Sequence, residues 1–168
     1  MINRPIPDVV LKTRVRDESI GGPNPFRWQD LSVRDEFAGK RVVVFSLPGA
    51  FTPTCSNEQC PNFDRLYDEF RQLGIDDVYC VSVNDAFVMG AWGRDQKTQG
   101  KVRMMADGSA DFAKATGLTL DLTSRGMGLR SQRYSMLVDD GVVKTLNVEG
   151  PGKFEVSDAA TLLAQAKA

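Results

Sequence analysis

Histidine is absent from this 168-residue sequence, and cysteine occurs only three times, as Cys55, Cys60 and Cys80. Structural zinc sites built from four cysteines, or from cysteines and histidines, therefore cannot be assembled from one chain. Hydrolases that use a histidine base to activate a serine or a cysteine are excluded as well. A nucleophile in this sequence must be activated by fixed charges and by backbone dipoles.

The sequence also lacks a large excess of one charge sign and long apolar segments. The sequence has 21 Lys and Arg residues against 22 Asp and Glu residues, interspersed along the chain, so it offers no basic stripe to a nucleic acid. No stretch approaches the roughly 20 apolar residues that span a bilayer, and the first residues lack the apolar core of a secretory signal. We therefore expect no membrane partner and a cytoplasmic protein whose cysteines are free thiols.

The spacing of the apolar residues predicts an α/β fold, and the length suits one domain, residues 1–168. Apolar residues three and four positions apart predict a helix over residues 56–73, which Gly74 ends. Continuous or alternating apolar runs predict strands at Val9–Val15, Phe26–Leu31, Arg41–Leu47, Val78–Val83, Val102–Ala106, Arg133–Val138 and Val142–Val148.

Capping and turn residues complete the predicted pattern. Asn84 or Asp85 begins the next helix, a short helix is expected near Ser109–Thr116, and Ser157 caps a closing helix. The run Asp139–Gly141 predicts a hairpin turn between the last two strands. This alternation of strands and helices predicts a mixed central sheet with helices on both faces, an order compatible with a thioredoxin-like fold.

The segment from Pro48 to Cys55 joins a buried strand to the start of an amphipathic helix. A thiol at this point faces unpaired backbone N–H groups and the positive end of the helix dipole, and both favour the reactive thiolate. Thr52 lies three residues before Cys55, so its hydroxyl can approach the sulfur across a single turn. The alternative, a buried cysteine that serves only as a small apolar residue, fits a loop of Pro, Gly and Thr poorly.

The run PGAFTPTCS closely resembles the active-site signature of the peroxiredoxins, particularly of their type II subfamily. The similarity continues through VYCVSVNDAFVMGAW and GLRSQRYSMLVDDGVVKTLNVE, so it covers the chain from about Val42 to Glu149. This resemblance implies a thioredoxin fold and the thiol-dependent reduction of hydroperoxides. It also implies that no metal or organic cofactor takes part.

Matched residue by residue, the resemblance implies the catalytic groups. Cys55 would be the peroxidatic cysteine, Thr52 would hydrogen-bond the peroxide and the sulfur, and Pro48 would shield the pocket. Arg133 matches the active-site arginine of the family. Its guanidinium would favour the thiolate and could donate hydrogen bonds to both peroxide oxygens.

Two further residues are candidates for supporting roles. Arg130 lies in the same matching segment and is expected to orient its neighbours. Gln59 stands four residues after Cys55, where type II relatives usually carry a histidine, and glutamine can hydrogen-bond but cannot titrate near neutral pH. Spacing alone would make either Arg130 or Arg133 a solvated surface charge, so both assignments depend on the resemblance.

A second thiol must reduce the sulfenic acid that forms on Cys55. On one α-helix Cys60 would lie about 7.5 Å along the axis and about 140° around it, too far for a disulfide without unwinding, so we expect a core role. Cys80 matches a second cysteine of some plant relatives and is a candidate resolving cysteine, although its strand is buried. The segment Pro151–Ser157 contains no cysteine. An external thiol, either glutathione with glutaredoxin or thioredoxin, is therefore favoured.

The leading hypothesis is a peroxidase that reduces hydrogen peroxide and small alkyl hydroperoxides. A redox sensor or chaperone-like module, in which oxidation of Cys55 changes a partner surface, is the runner-up, and turnover with a reductant separates the two. A thioredoxin-type disulfide exchanger is disfavoured because Thr52 stands where a CxxC motif needs its first cysteine. The resemblance also implies a homodimer formed near the active-site loop and the Leu118–Leu129 segment.

Overall fold

The computed structural model describes residues 1–98 and 100–168. Its strands are β1 (Val10–Arg16), β2 (Phe26–Ser32), β3 (Arg41–Leu47), β4 (Asp77–Ser82), β5 (Arg103–Ala106), β6 (Thr119–Leu122), β7 (Gly128–Ser131), β8 (Tyr134–Asp139) and β9 (Val142–Val148). Its α-helices are α1 (Val33–Phe37), α2 (Cys60–Arg65), α3 (Tyr67–Gln72), α4 (Ala86–Gln96), α5 (Asp111–Thr116) and α6 (Ala159–Lys167). A π-helical turn, Cys55–Gln59, precedes α2, and a 3₁₀ turn, Thr123–Arg125, separates β6 from β7.

A mixed sheet of five strands forms the centre, in the order β5-β4-β3-β8-β9. Strand β3 pairs in parallel with β4 and antiparallel with β8. The apolar runs of β3 and β4 leave nearly every residue buried, as expected of strands that are covered on both faces. The predicted thioredoxin-like α/β fold is confirmed.

Apolar cores lie on both faces of this sheet. One contains Cys55, Phe63 and Trp92, and the other contains Phe37 and Tyr79. The rings of Phe45 and Phe63 stack with their centroids 4.2 Å apart, which fixes α2 against β3. Full burial of one such side chain contributes roughly 1.5–3 kcal/mol, so the helix that follows Cys55 is held firmly to the sheet.

None of the helices in the described residues is long and apolar enough to cross a lipid bilayer.

The continuous helix predicted over residues 56–73 is wrong in detail. The chain forms the π-helical turn, then α2, and then α3 after a break at Leu66, whose φ and ψ are −92° and 6°. Pro61 explains the π-helical turn, because proline has no N–H for an α-helical bond to the carbonyl of Asn57 and its ring crowds that carbonyl. The N–H of Cys60 bonds the carbonyl of Cys55 instead, five residues back.

The observed helix cap matches the prediction from the sequence at α4 and differs from it at α6. Asp85 caps α4, since its carboxylate accepts from the N–H of Val88 at 2.8 Å. The predicted cap of α6, Ser157, is wrong: Asp158 accepts from the N–H of Thr161 at 3.0 Å. The side chain of Ser157 is directed instead to the buried Glu149, to which its hydroxyl donates at 2.7 Å.

Helix α1 and the hairpin of strands β6 and β7 were not predicted from the sequence. Helix α1 is a short helix that Ser32 caps by accepting from the N–H of Asp35 at 3.3 Å. Strands β6 and β7 pair antiparallel outside the central sheet. Their residues are at most half-buried in most positions, so they show no strong apolar period. The β6–β7 hairpin carries Arg130, which contacts the loop after β3.

Candidate active site

The loop after β3 positions a buried thiol at the start of a helical segment. Strand β3 ends at Leu47, and Cys55, with no exposed surface, begins the π-helical turn. The loop folds back through Phe51, whose φ of 63° is left-handed, and the N–H of Ser56 then bonds the carbonyl of Thr52 at 3.0 Å. This turn brings Thr52 beside the sulfur, as its spacing from Cys55 predicted.

The hydroxyl of Thr52 lies between two acceptors. Its Oγ1 is 2.6 Å from the carbonyl oxygen of Gly49 and 2.8 Å from Sγ of Cys55. A hydroxyl has one hydrogen to donate, so it cannot donate to both at once. When Cys55 is a neutral thiol, its S–H can donate to Thr52 while Thr52 donates to Gly49. When Cys55 is a thiolate, the hydroxyl can turn to the sulfur.

Arg133 supplies a second donor to the same sulfur. Its Nη2 lies 3.3 Å from Sγ of Cys55, and its Nη1 donates to Oε1 of Gln59 at 2.5 Å. Gln59 has no exposed surface and donates from Nε2 to the carbonyl of Ser46 in β3 at 3.4 Å. Hydrogen bonds from a charged donor stabilise negative charge on an acceptor, so the guanidinium and Thr52 together stabilise a thiolate at residue 55.

Arg130 does not contact the sulfur but binds the backbone of the loop after β3. Its Nη1 donates to the carbonyl of Pro48 at 3.2 Å, and its Nε donates to the carbonyl of Met127 at 2.9 Å. A Cβ added at Gly49 would lie 2.7 Å from this Nη1, closer than real Cβ atoms come to other atoms. An alanine at residue 49 would therefore displace this guanidinium, the end of a flexible side chain, from the carbonyl of Pro48.

The other cysteines lie in the core below this loop. Cys60 and Cys80 are free, and neither has exposed surface. Burial, with the nearby Asp64 and Cys55, raises the pKa of Cys60 to about 12. Burial also raises the pKa of Cys80 well above its ordinary value. The predicted core role of Cys60 is confirmed by its burial, but the α-helical spacing assumed between it and Cys55 is wrong, because a π-helical turn joins the two.

Two neighbours of the site, Trp92 and Phe154, were not identified from the sequence. Trp92 in α4 is buried and donates from Nε1 to Oγ of Ser56 at 3.0 Å. The ring of Phe154 lies against Arg133, with 5.8 Å from Cζ to the ring centroid. Both contacts join residues that are far apart in the chain, and no local pattern indicates them. Within residues 1–98 and 100–168, no three His, Cys, Asp or Glu side chains cluster so as to hold a metal ion.

Comparison with known proteins identifies the family. Residues 25–163 match the Redoxin family. A peroxiredoxin of Synechocystis sp. is 48% identical over 96% of this chain and 89% of its own length, and Peroxiredoxin-2B of Arabidopsis thaliana is 45% identical over 80% and 83%. The crystal structure of reduced Prx3 in complex with H₂O₂ from Vibrio vulnificus is 44% identical, covers 99% of this chain and 98% of its own, and superposes with a TM-score of 0.87. The chain therefore belongs to the type II peroxiredoxins and is a thiol-dependent peroxidase.

Proposed function

We propose that Cys55 is the residue of this peroxidase that attacks the hydroperoxide. The observation that carries the proposal is the convergence of two donors, Thr52 at 2.8 Å and Arg133 at 3.3 Å, on its buried sulfur. Among residues 1–98 and 100–168 no side chain donates to the sulfur of Cys60 or Cys80, and burial raises the pKa of both thiols, so they are poor nucleophiles at neutral pH.

The reaction at Cys55 transfers one oxygen. The thiolate attacks the terminal oxygen of the hydroperoxide, a sulfur–oxygen bond forms, and the oxygen–oxygen bond breaks. Cys55 is oxidised to a sulfenic acid, and the other oxygen leaves as water or an alcohol after it takes up a proton. The Arg133 guanidinium, which already points at the sulfur, stabilises the charge that develops on the departing oxygen.

The remaining predicted residues support this geometry. Gln59 orients Arg133 by accepting from Nη1, and it is itself fixed to β3 through the carbonyl of Ser46. Arg130 holds Pro48 at the edge of the pocket through the backbone carbonyl. We therefore assign Gln59 and Arg130 positioning roles and assign Pro48 the shielding role that the family resemblance implies.

The sulfenic acid is reduced by an external thiol. A cysteine attacks sulfur as its thiolate, and burial raises the pKa of Cys60 to about 12, so this residue is a neutral thiol at pH 7. Cys80 is buried within β4, so its approach to Cys55 would require the sheet to open locally. Glutathione with glutaredoxin, or thioredoxin, is therefore the reductant class that fits this chain.

Hydrogen peroxide and small alkyl hydroperoxides are the substrates that we assign. The Vibrio vulnificus Prx3 structure contains H₂O₂, and that protein shares the fold over nearly the whole chain. The donors of the site interact with the two peroxide oxygens, which every hydroperoxide has, and so do not by themselves select one substrate. Three free thiols fit a reducing compartment, and we propose a cytoplasmic location.

We also propose a homodimer that forms beside the active-site loop. Phe51, Phe87 and Leu129 are large apolar residues with exposures of 53%, 59% and 37%. Their segments adjoin one another, since the N–H of Ala50 donates to Oδ1 of Asn84 at 3.0 Å and Arg130 contacts Pro48. An apolar surface of this kind is typical of a protein interface, and a second copy of the chain presents the same surface.

Peroxide consumption by purified protein tests the assignment of Cys55. Wild type is compared with Cys55→Ser, Cys60→Ser and Cys80→Ser, using dithiothreitol, glutathione with glutaredoxin, or the thioredoxin system as the reductant. We expect only Cys55→Ser to abolish turnover. Loss of turnover in Cys80→Ser with every protein reductant would overturn the external-thiol assignment. Consumption of a single equivalent by wild type under all conditions would favour the redox sensor.

A further inference from the structure

A buried carboxylate organises the loop between β9 and α6. Glu149, only 7% exposed, accepts from the backbone N–H groups of Glu155, Val156 and Ser157 at 2.7–2.9 Å. The hydroxyl of Ser157 donates to the same carboxylate at 2.7 Å. These hydrogen bonds lower the pKa of Glu149 below its ordinary value, although burial alone would raise it. We call this arrangement of Glu149 with residues 155–157 the Glu149 clamp.

The Glu149 clamp is linked to Arg133 at two points, the backbone carbonyl and the guanidinium. The backbone N–H of Glu149 donates to the carbonyl of Arg133 at 3.0 Å. The loop that its carboxylate folds carries Phe154, whose ring centroid lies 5.8 Å from Cζ of Arg133. That distance is within the range of a cation–π contact. The same guanidinium donates to Gln59 and to Cys55, so Phe154 covers the arginine of the site.

We propose that Glu149 is a positioning residue for Arg133, which it orients toward Cys55 by holding Phe154 against the guanidinium. The proposal rests on the function proposed for Cys55 and Arg133. Arginine has several rotatable bonds and loses side-chain entropy when it is fixed. Contacts with Gln59 on one side and Phe154 on the other leave the guanidinium directed at the sulfur. The carboxylate acts at a distance and touches neither the sulfur nor the peroxide.

The chemistry of the clamp explains why glutamate is needed at residue 149. A carboxylate only accepts hydrogen bonds, and here its donors are three backbone N–H groups and one hydroxyl. Glutamine has the same shape but places an NH₂ group where one oxygen accepts. Even with its oxygen in the place of Oε2, which accepts from all four donors, glutamine would set its NH₂ group against the N–H of Glu155 at the place of Oε1. The turn over residues 155–157 would then loosen while the fold is otherwise kept.

A double-mutant cycle tests the proposal. The variants are Glu149→Gln, Phe154→Ala and the double variant, with Glu155→Gln as the matched control, because the side chain of Glu155 is exposed and its N–H is retained. Stopped-flow mixing of reduced protein with hydrogen peroxide gives the rate constant of Cys55 oxidation. Hydrogen exchange reports the protection of the amides of residues 155–157.

We expect each single variant to slow oxidation roughly fivefold, the scale of one cation–π contact, and the double variant to be no slower than the slower single variant. Exchange at residues 155–157 should rise in Glu149→Gln but not in Glu155→Gln. Additive losses, or faster exchange with an unchanged rate constant, would overturn the positioning role. If wild type itself does not react with peroxide, the proposed function fails, whereas the exchange result still shows whether the clamp holds the loop.

Discussion

At the scale of single residues, the site is a chain of hydrogen bonds that begins at one sulfur and ends in the sheet. Arg133 joins Cys55 to Gln59, and Gln59 joins Arg133 to the backbone of β3. The sequence could indicate Cys55, Thr52 and Arg133, because the resemblance is strongest around them. It could not indicate the contact between Arg133 and Gln59, because these residues lie 74 positions apart and meet only after β3 and β8 pair.

Replacing Gln59 with histidine should make the rate of Cys55 oxidation depend on the protonation of residue 59, and so on pH. Neutral histidine can accept from Arg133 as glutamine does, but protonated histidine cannot, and its charge repels the guanidinium. The rate of Gln59→His relative to wild type should therefore fall at a pH below about 6.5, the ordinary pKa of histidine, because burial and the guanidinium of Arg133 both lower that pKa. Stopped-flow rates from about pH 4 to 8 measure this. A ratio that stays constant over that range would show that Gln59 does not act through Arg133.

Adding a methyl group at Gly49 should damage the loop after β3. The new Cβ would meet Arg130 at 2.7 Å, and displacing that guanidinium would release the carbonyl of Pro48. We expect Gly49→Ala to lower the free energy of unfolding by about 0.5–1.5 kcal/mol, the scale of the lost hydrogen bond to Pro48, and to slow peroxide reduction. Gly90→Ala is the control, since a Cβ at Gly90 in α4 would make only an ordinary van der Waals contact, 3.5 Å from Nη1 of Arg94, and alanine there should stabilise the helix by about 0.5–1 kcal/mol. Denaturant unfolding of both variants distinguishes a loss at residue 49 from a general effect of the added methyl group.

At the scale of elements, the strands could be predicted more fully than the helix at the site. Strand β3 is observed at the predicted residues, since its apolar run is continuous and is bounded by Lys40 and Pro48. The helix after Cys55 shows the expected apolar stripe, with Phe63 and Phe70 buried, but its first turn is π-helical. Pro61 was the available signal, because a proline inside a helical pattern removes one backbone bond. Apolar spacing alone does not reveal how the chain adjusts to that loss.

Restoring the missing N–H at residue 61 tests whether proline sets the π-helical turn. In Pro61→Ala the new N–H can bond the carbonyl of Asn57, which favours an α-helical first turn and rotates Cys55 away from Thr52 and Arg133. We expect slower oxidation of Cys55 together with an unchanged or higher melting temperature. Stopped-flow kinetics and thermal unfolding measure the two effects. If the rate equals that of wild type, Pro61 does not control the placement of the sulfur.

At the scale of the whole molecule, the fold brings four distant segments to one end of the central sheet. These are the loop after β3, the β6–β7 hairpin, the start of β8 and the loop that follows β9. Alternation of strands and helices predicts the sheet, and the family resemblance predicts most of the site. The Glu149 clamp could not be predicted, because its carboxylate binds backbone N–H groups, which every residue but proline has.

The same end of the molecule carries the surface assigned to the homodimer, and one charge there should separate the subunits. Phe87 is 59% exposed, so Phe87→Glu should leave the fold intact while it opposes burial against a second copy. We expect a dimeric wild type and a monomeric variant by sedimentation velocity. Ile20→Glu serves as the control, since Ile20 is 50% exposed in the turn between β1 and β2 and should leave the dimer unchanged. A wild type that sediments as a monomer would rule out the proposed interface.

If Cys55 alone takes the oxygen from the hydroperoxide, a sulfenic acid forms on Cys55 and can be trapped there. Reduced protein receives one equivalent of hydrogen peroxide in the presence of a reagent specific for sulfenic acids, and peptide mass spectrometry locates the label. We expect labelling at Cys55, much slower labelling in Arg133→Met, and unlabelled Cys60 and Cys80. A label that appears first on Cys60 or Cys80, or labelling of Cys55 at the same rate without Arg133, would contradict this expectation.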